Sequence, residues 1–154
     1  MTQAPLMDRI HITEDYDVPR VINGGWQLSA GHALERPLDL ADASRAFNRL
    51  IDMGFDTFDC ADIYTGVEDF FGGIIRERRK AGLRLPQIHT KLVPDLNDLA
   101  NVTPAYIENI ITRSLRRLGV ERLDAVQFHW WDYSVPGMVD VAGELVRLQE
   151  KGLI

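Results

Sequence analysis

Asp56-Thr-Phe-Asp-Cys-Ala-Asp-Ile-Tyr64 joins a short strand-like run to an acid and places a phenol five residues beyond Asp59. Successive strand side chains alternate, so Thr57 and Asp59 share one side while Phe58 points to the other. The next strand-like run, Gln87-Ile-His-Thr-Lys-Leu-Val93, sets His89 and Lys91 against Ile88, Thr90 and Leu92. In Leu123-Asp-Ala-Val-Gln-Phe-His129 the same alternation sets Ala125, Gln127 and His129 against Val126 and Phe128. Three successive strands therefore send their polar members to one side. Parallel strands buried under helices on both faces are apolar on both. A polar, converging face instead predicts the mouth of a (β/α) barrel, where sites lie at the C-terminal strand ends.

Strand-like and helix-like segments alternate along the whole chain. Arg20-Val-Ile-Asn-Gly-Gly-Trp26 reads as a first strand entering a loop. Residues Asp39 to Met53 place Leu40, Ala43, Ala46, Phe47, Leu50 and Ile51 at helical spacing, and Gly54 follows as a natural stop. Glu68 to Lys80 repeats the pattern with Phe70, Phe71, Ile74 and Ile75 inward, and Gly82 closes it. Gly72-Gly73 lies inside this helix and reads as close packing. The third helix has the clearest start, with Thr103 as cap and Pro104 at the first helical position. Ile107, Ile110, Ile111, Ser114, Leu115 and Leu118 form its stripe before Gly119. Gly137 to Lys151 is the fourth helix, and Leu153-Ile154 reads as the opening of a fifth strand. The order is βαβαβαβα, the pattern of a parallel sheet with covering helices. No break in composition divides residues 1–154 into two domains.

The chain has 154 residues, of which 45% are hydrophobic and 26% charged, enough for a buried core. A net charge of −6 argues against nucleic acid or an anionic membrane as the main partner, because both are bound by concentrated Lys and Arg. The one basic run, Arg76, Arg78, Arg79 and Lys80, reads as a helix end that complements the dipole. A single cysteine, Cys60, precludes an internal disulfide and suits a reducing compartment. The opening residues lack the apolar core of a signal peptide, and no run approaches a membrane span. A cytoplasmic protein is the expectation.

Asp59, Tyr64, Lys91 and His129 are the types a proton-transfer site needs. A free phenol titrates near ~10 and is a poor acid at neutrality, but a nearby ammonium stabilises its anion. Lys91 can supply that charge, and a lysine amid apolar strand residues needs a partner such as Asp59. The same residues also fit a structural Asp59–Lys91 ion pair beside an unrelated tyrosine, and a lone histidine at a strand end is commonly a core residue. Trp130, next to His129, reads as a wall of an apolar pocket.

In order and context these residues resemble the aldo-keto reductases. That family has a tetrad of Asp, Tyr, Lys and His, with the first two in an Asp-Thr-Ala-x-x-Tyr segment. The likeness runs from about Val21 onward and matches at Asp59, Ala61, Tyr64, Lys91 and His129. Gly25-Trp26, Glu68, Leu118-Gly-Val120 and His129-Trp130 with Asp132 extend it. Cys60 replaces the usual threonine, Thr65-Gly66 follows Tyr64 where glycine alone is usual, and Trp131 replaces a common proline. The resemblance implies an NADP-dependent oxidoreductase reducing an aldehyde or ketone. Tyr64 would be the general acid, tuned by Lys91 and Asp59, and His129 would orient the carbonyl. Gly25, Trp26 and Asp59 would contact the cofactor, and Trp26, Tyr64, His129 and Trp130 the substrate.

A complete (β/α)8 barrel needs roughly 250 residues, and four βα units occur here. In the family most NADP contacts lie on later strands, and no Gly-x-Gly-x-x-Gly follows a strand in this chain. The open edges are therefore expected to be covered by the rest of a barrel or by a second copy. Alone, the chain is expected to be an unstable monomer, inactive and weak or null in NADP binding. Two other functions fit less of the pattern. One is a non-catalytic or regulatory protein on the same scaffold. The other is a metal-dependent hydrolase using His89, His129, Asp59 and Asp62, although tightly spaced His ligands are missing.

Overall fold

The computed structural model describes residues 7–30 and 39–154. The opening residues 1–6, part of the stretch read as no signal peptide, lie outside the described residues. A hairpin comes first, β1 (Arg9–Thr13) and β2 (Tyr16–Pro19), paired antiparallel with an irregularity between His11 and Thr13. The barrel part follows as β3 (Asn23–Gly24), α1 (Leu40–Asp52), β4 (Thr57–Asp59) and α2 (Val67–Lys80). It continues as β5 (Gln87–Leu92), α3 (Pro104–Leu118), β6 (Ala125–Phe128) and α4 (Met138–Glu150). The four later strands form one parallel sheet in the order β3-β4-β5-β6. Chain order and spatial order coincide, as in successive βα units.

Helix starts follow local chemistry. The Asp39 carboxylate accepts the Ala41 and Asp42 amides at 2.9 and 3.1 Å, and the Thr103 hydroxyl accepts the Tyr106 amide at 3.2 Å. Both satisfy amides that an α-helix cannot pair internally. Gly66 and Gly137, both with positive φ, let the chain turn into α2 and α4.

The expected alternation holds in β5, where Ile88, Thr90 and Leu92 are buried and Gln87, His89 and Lys91 are half-buried. The core lies between the sheet and the helices, built from Phe58, Phe71, Ile74, Ile88, Leu92, Ile107, Ile111, Leu118 and Leu148. Phe47, Phe58, Phe70 and Phe71 pack ring against ring, with centroids 5.1 to 5.6 Å apart. Gly72 is where α2 meets α3: a Cβ there would lie 2.1 Å from the Arg117 carbonyl oxygen. Gly73 borders open space. Of the glycine pair, only the first is required by packing.

Several expectations need correction. The first strand shrinks to Asn23–Gly24, because Val21 and Ile22 are exposed and only two residues pair with β4. Leu40 and Ala46, read as part of an inward stripe, are exposed, since α1 is the edge helix and packs against α2 on one side. Arg78, Arg79 and Lys80 do close α2, as expected of a basic helix end, but Arg78 has a further role. It is buried, bonding Asp52 at 2.7 Å, Asn48 at 2.8 Å and the Arg84 carbonyl at 2.6 Å. Leu153-Ile154 forms no strand; one bond, from the Leu123 amide to the Leu153 carbonyl at 2.9 Å, precedes β6.

The hairpin was not anticipated. It docks at the N-terminal ends of the barrel strands through Arg9, which reaches Asp56 at 2.8 Å and Gln87 at 3.2 Å. Its signal was the polar pair Glu14-Asp15 between the extended runs Ile10-His-Ile-Thr13 and Tyr16-Asp-Val18.

The two adjacent glycines separate packing from propensity. Gly72→Ala is expected to destabilise the protein by about 2–3 kcal/mol through overpacking. Gly73→Ala is expected to be neutral or stabilising by up to about 1 kcal/mol, because helical glycine costs that much relative to alanine. Urea unfolding of both variants beside the parent protein measures the difference.

Candidate active site

The site grows out of strand register. β4 and β5 pair Asp59 with His89, so Lys91 lies one alternation further toward the C-terminal edge on the same face. Its ammonium donates to Asp59 Oδ1 at 2.5 Å and to the Cys60 carbonyl at 2.8 Å. β5 and β6 pair Lys91 with Gln127, whose amide also donates to Asp59 Oδ1, at 2.7 Å. Asp59 thus receives a cation and an amide from two different strands.

Tyr64 sits in the turn that leads into α2. Its amide donates to the Ala61 carbonyl at 3.1 Å, and its ring centroid is 5.3 Å from the Lys91 ammonium. On the other side, the Gly25 amide donates to the Asp59 carbonyl at 2.7 Å. A Cβ on Gly25 would come within 3.0 Å of that oxygen and of Val67 Cγ1, so glycine lets the end of β3 close on β4. Trp26 follows with a partly exposed ring.

His129 continues the alternation beyond β6, held by its amide bond to the Leu92 carbonyl at 3.0 Å. Its imidazole meets Trp131 edge-on, with centroids 4.4 Å apart, and the Trp131 indole donates to the Pro94 carbonyl at 2.8 Å. Asp59, Lys91 and Gln127 are therefore in direct contact, Tyr64 stands over Lys91, and His129 is fixed beside Trp131. Trp130 is not the expected pocket wall. It is 4% exposed and turned into the core, where its indole bonds the Val135 carbonyl. The alternation that keeps His129 on the polar side sends its neighbour to the other, and Trp131 is the aromatic next to the imidazole.

Electrostatics corrects one expectation. The Tyr64 phenol lies above its ordinary value, through burial first and then the negative charge of Asp59. The Lys91 ammonium, shared with Asp59 and the Cys60 carbonyl, does not bring the phenol below its ordinary value. Tyr64 consequently keeps its proton through the neutral range, the state a proton donor needs. The Cys60 thiol is fully buried, and burial pushes its pKa up, so it packs as a small apolar group.

A second polar layer lies behind the first, and sequence reasoning did not find it. Asp62 Oδ1 accepts the Val93 amide at 3.1 Å, and Oδ2 pairs with Arg113 at 3.0 Å. Glu68 accepts the Thr90 hydroxyl at 2.7 Å and pairs with Arg117 at 3.1 Å. Burial, opposed by the Val93 amide and Arg113, raises the Asp62 carboxyl to about 6. Gln127, Arg113 and Arg117 carried no sequence signal beyond their place on a face. His89, a ligand in the metal alternative, bonds the Tyr16 hydroxyl at 2.8 Å. Among the described residues no three His, Cys, Asp or Glu side chains are grouped to hold a metal ion. Nor, among them, is any helix long and apolar enough to cross a membrane.

Residues 20–154 match the aldo/keto reductase family. The soybean (Glycine max) protein named "Probable aldo-keto reductase 1" is 26% identical over 159 residues, covering 100% of this chain and 44% of its own length. Among solved structures, PA4992 from Pseudomonas aeruginosa superposes with a TM-score of 0.76 at 21% identity, over 97% of this chain and 58% of that one. The holo form of the aldo-keto reductase AKR11C1 from Bacillus halodurans gives 0.74 at 23% identity, over 96% of this chain and 48% of that one. The chain spans about half the length of these relatives, and its fold is the corresponding part of a (β/α)8 barrel.

The burial of His89 sets a pH dependence of stability. Burial lowers the His89 pKa below its ordinary 6.5, so the folded protein binds that proton less readily than the unfolded chain. The resulting stability is present above the unfolded value and is lost as pH falls through the folded one. His89→Gln is expected to flatten this acid-side decline, read from thermal unfolding between about pH 4 and 7.

Proposed function

The chain belongs to the aldo/keto reductase family, and on that premise we propose that it supplies the proton-transfer side of an NADP-dependent carbonyl reductase. Membership makes it part of an oxidoreductase. The observation that carries the finer reading is the Asp59–Lys91–Gln127 contact lying under a protonated Tyr64. Three strands and a loop converge on one small volume, and every ionisable member has a partner or a function in proton transfer.

In this reading Tyr64 gives its proton to the carbonyl oxygen as negative charge develops there. The Lys91 ammonium stabilises the phenolate left behind, while Asp59 and Gln127 keep that ammonium from drifting toward solvent. Positioning a proton donor in this way contributes roughly 10²- to 10⁴-fold in rate. In the same reading His129, which meets Trp131 edge-on, donates to the same carbonyl oxygen and sets its orientation. Bound NADPH supplies the hydride to the carbonyl carbon. The residues at the end of β3 suit a flat ring: beside Gly24 a Cβ would meet nothing within 4 Å, and Trp26 offers a partly exposed indole. Gly25, Trp26 and Asp59 are the groups we assign to the nicotinamide end. The substrate is a small aldehyde or ketone flanked by Trp26 and Trp131. The free edges of β3 and β6 are met by the rest of a barrel or by a second copy.

Tyr64→Phe, in the protein that carries this chain, is expected to lose NADPH-dependent carbonyl reduction by about 10²-fold or more. Cofactor binding, followed by nucleotide fluorescence, should persist, since little volume is removed. A variant that keeps most of its turnover would exclude Tyr64 as the acid. Lys91→Met is expected to lower turnover and to move the Tyr64-controlled limb of the pH profile upward, because the phenolate loses its nearest cation.

A further inference from the structure

We propose that Asp62 is a positioning residue for the Tyr64–Lys91 pair, an inference that rests on the reading of those two residues given above. The buried polar layer brackets both members. On the loop and the start of α2, Asp62 and Glu68 stand on either side of Tyr64. On β5 and just beyond it, Thr90 and Val93 stand on either side of Lys91. Each acid bonds one of these neighbours: Glu68 holds the Thr90 hydroxyl at 2.7 Å and Asp62 the Val93 amide at 3.1 Å. Arg117 of α3 then joins the two brackets, bonding the Asp62 carbonyl at 3.0 Å and the Glu68 carboxylate at 3.1 Å. Arg113, one turn earlier, pairs with Asp62 Oδ2 at 3.0 Å.

The placement is specific. The Asp62 side chain is 1% exposed, although it belongs to a loop, where polar groups ordinarily face water. Burying a carboxylate is costly unless its oxygens are satisfied, and both oxygens of Asp62 are. Of the two acids, only Asp62 lies between Asp59 and Tyr64, so it sets where the loop leaves β4 and how high the phenol stands over the ammonium. Its bonds run to Val93, Arg113 and Arg117, and it acts through the backbone rather than on the reacting atoms. A shift of about 1 Å in such an alignment costs on the order of 10²-fold in rate.

Asp62→Ala, in the protein that carries this chain, is expected to lower kcat by about 10- to 100-fold while leaving the KM for NADPH unchanged. Asp62→Asn keeps an acceptor for the Val93 amide and is expected to recover most of that loss. The decisive comparison is the double variant with Lys91→Met, by single-turnover reduction. If Asp62 acts by placing Tyr64 over Lys91, its removal adds little once Lys91 is gone. Full kcat in Asp62→Ala, or losses that multiply in the double variant, would overturn the inference. Should Asp62→Ala fail to fold, Arg113→Met severs only the Oδ2 contact from a part-exposed side chain; it should show the same non-additivity, and additive losses would again overturn it. Turnover retained in Tyr64→Phe defeats the functional reading itself. An inactive Tyr64→Phe beside a fully active Asp62→Ala defeats this inference alone.

Discussion

A lysine ammonium held inside a strand face is the constraint on which the rest of this structure depends. Lys91 lies between two buried neighbours on β5, Thr90 and Leu92, and its charge has to be met where the chain cannot turn away. Asp59 on β4 and the Cys60 carbonyl meet it, at 2.5 and 2.8 Å. Those bonds require β4 and β5 to be parallel neighbours in the observed register. A slip of one residue would send Lys91 into the core and Ile88 to the polar side. Gln127 extends the requirement to β6, since its amide shares the same carboxylate oxygen.

Around this pair the protein is layered. The apolar layer, Phe58, Phe71, Ile88, Leu92 and the inner faces of α2 and α3, supplies the general driving force for folding. Between it and the polar face runs a row of buried carboxylates, Asp62 and Glu68, met by the part-exposed guanidiniums of Arg113 and Arg117. Such ion pairs are a poor source of net stability, because desolvation offsets most of the attraction. Their effect is geometric. They tie the loop after β4 to the end of β5 and to α3, and so hold Tyr64 in register with Lys91. Gly72 permits this, since any larger residue there would push α2 away from the Arg117 backbone.

The hairpin at the other end closes the strand starts by a comparable device. Arg9 bridges Asp17, Asp56 and Gln87, and Tyr16 meets His89 from below. Gln87 and His89 are the residues nearer the floor on the face that carries Lys91 near the mouth. The same alternation thus serves the hairpin contact at one end of a strand and the Asp59–Lys91 pair at the other.

Much of this was legible in the residues. Period-2 alternation in Thr57–Asp59, Gln87–Leu92 and Ala125–His129 determined which side chains share a face, because strand geometry leaves no other choice. Thr103-Pro104 and the closing glycines marked the helix ends for equally local reasons. Asp59 and Lys91 were identifiable because charge on an apolar strand is rare enough to be informative, and Tyr64 through its place five residues beyond Asp59 in the Asp-x-Ala-x-x-Tyr segment. What local pattern could not specify was which groups meet across elements. That Gln127 rather than His129 touches Asp59, that Trp131 rather than Trp130 stands beside the imidazole, and that Lys91 leaves the Tyr64 phenol raised all depend on distances between strands and loops. Arg78, Arg113 and Arg117 look like ordinary helix surface in the sequence and find their partners only when a neighbouring helix or loop arrives. Alternation and capping are properties of a few consecutive residues, so the sequence alone determined them. Pairing and desolvation are properties of residues 26 to 68 positions apart, so only the tertiary structure could decide them.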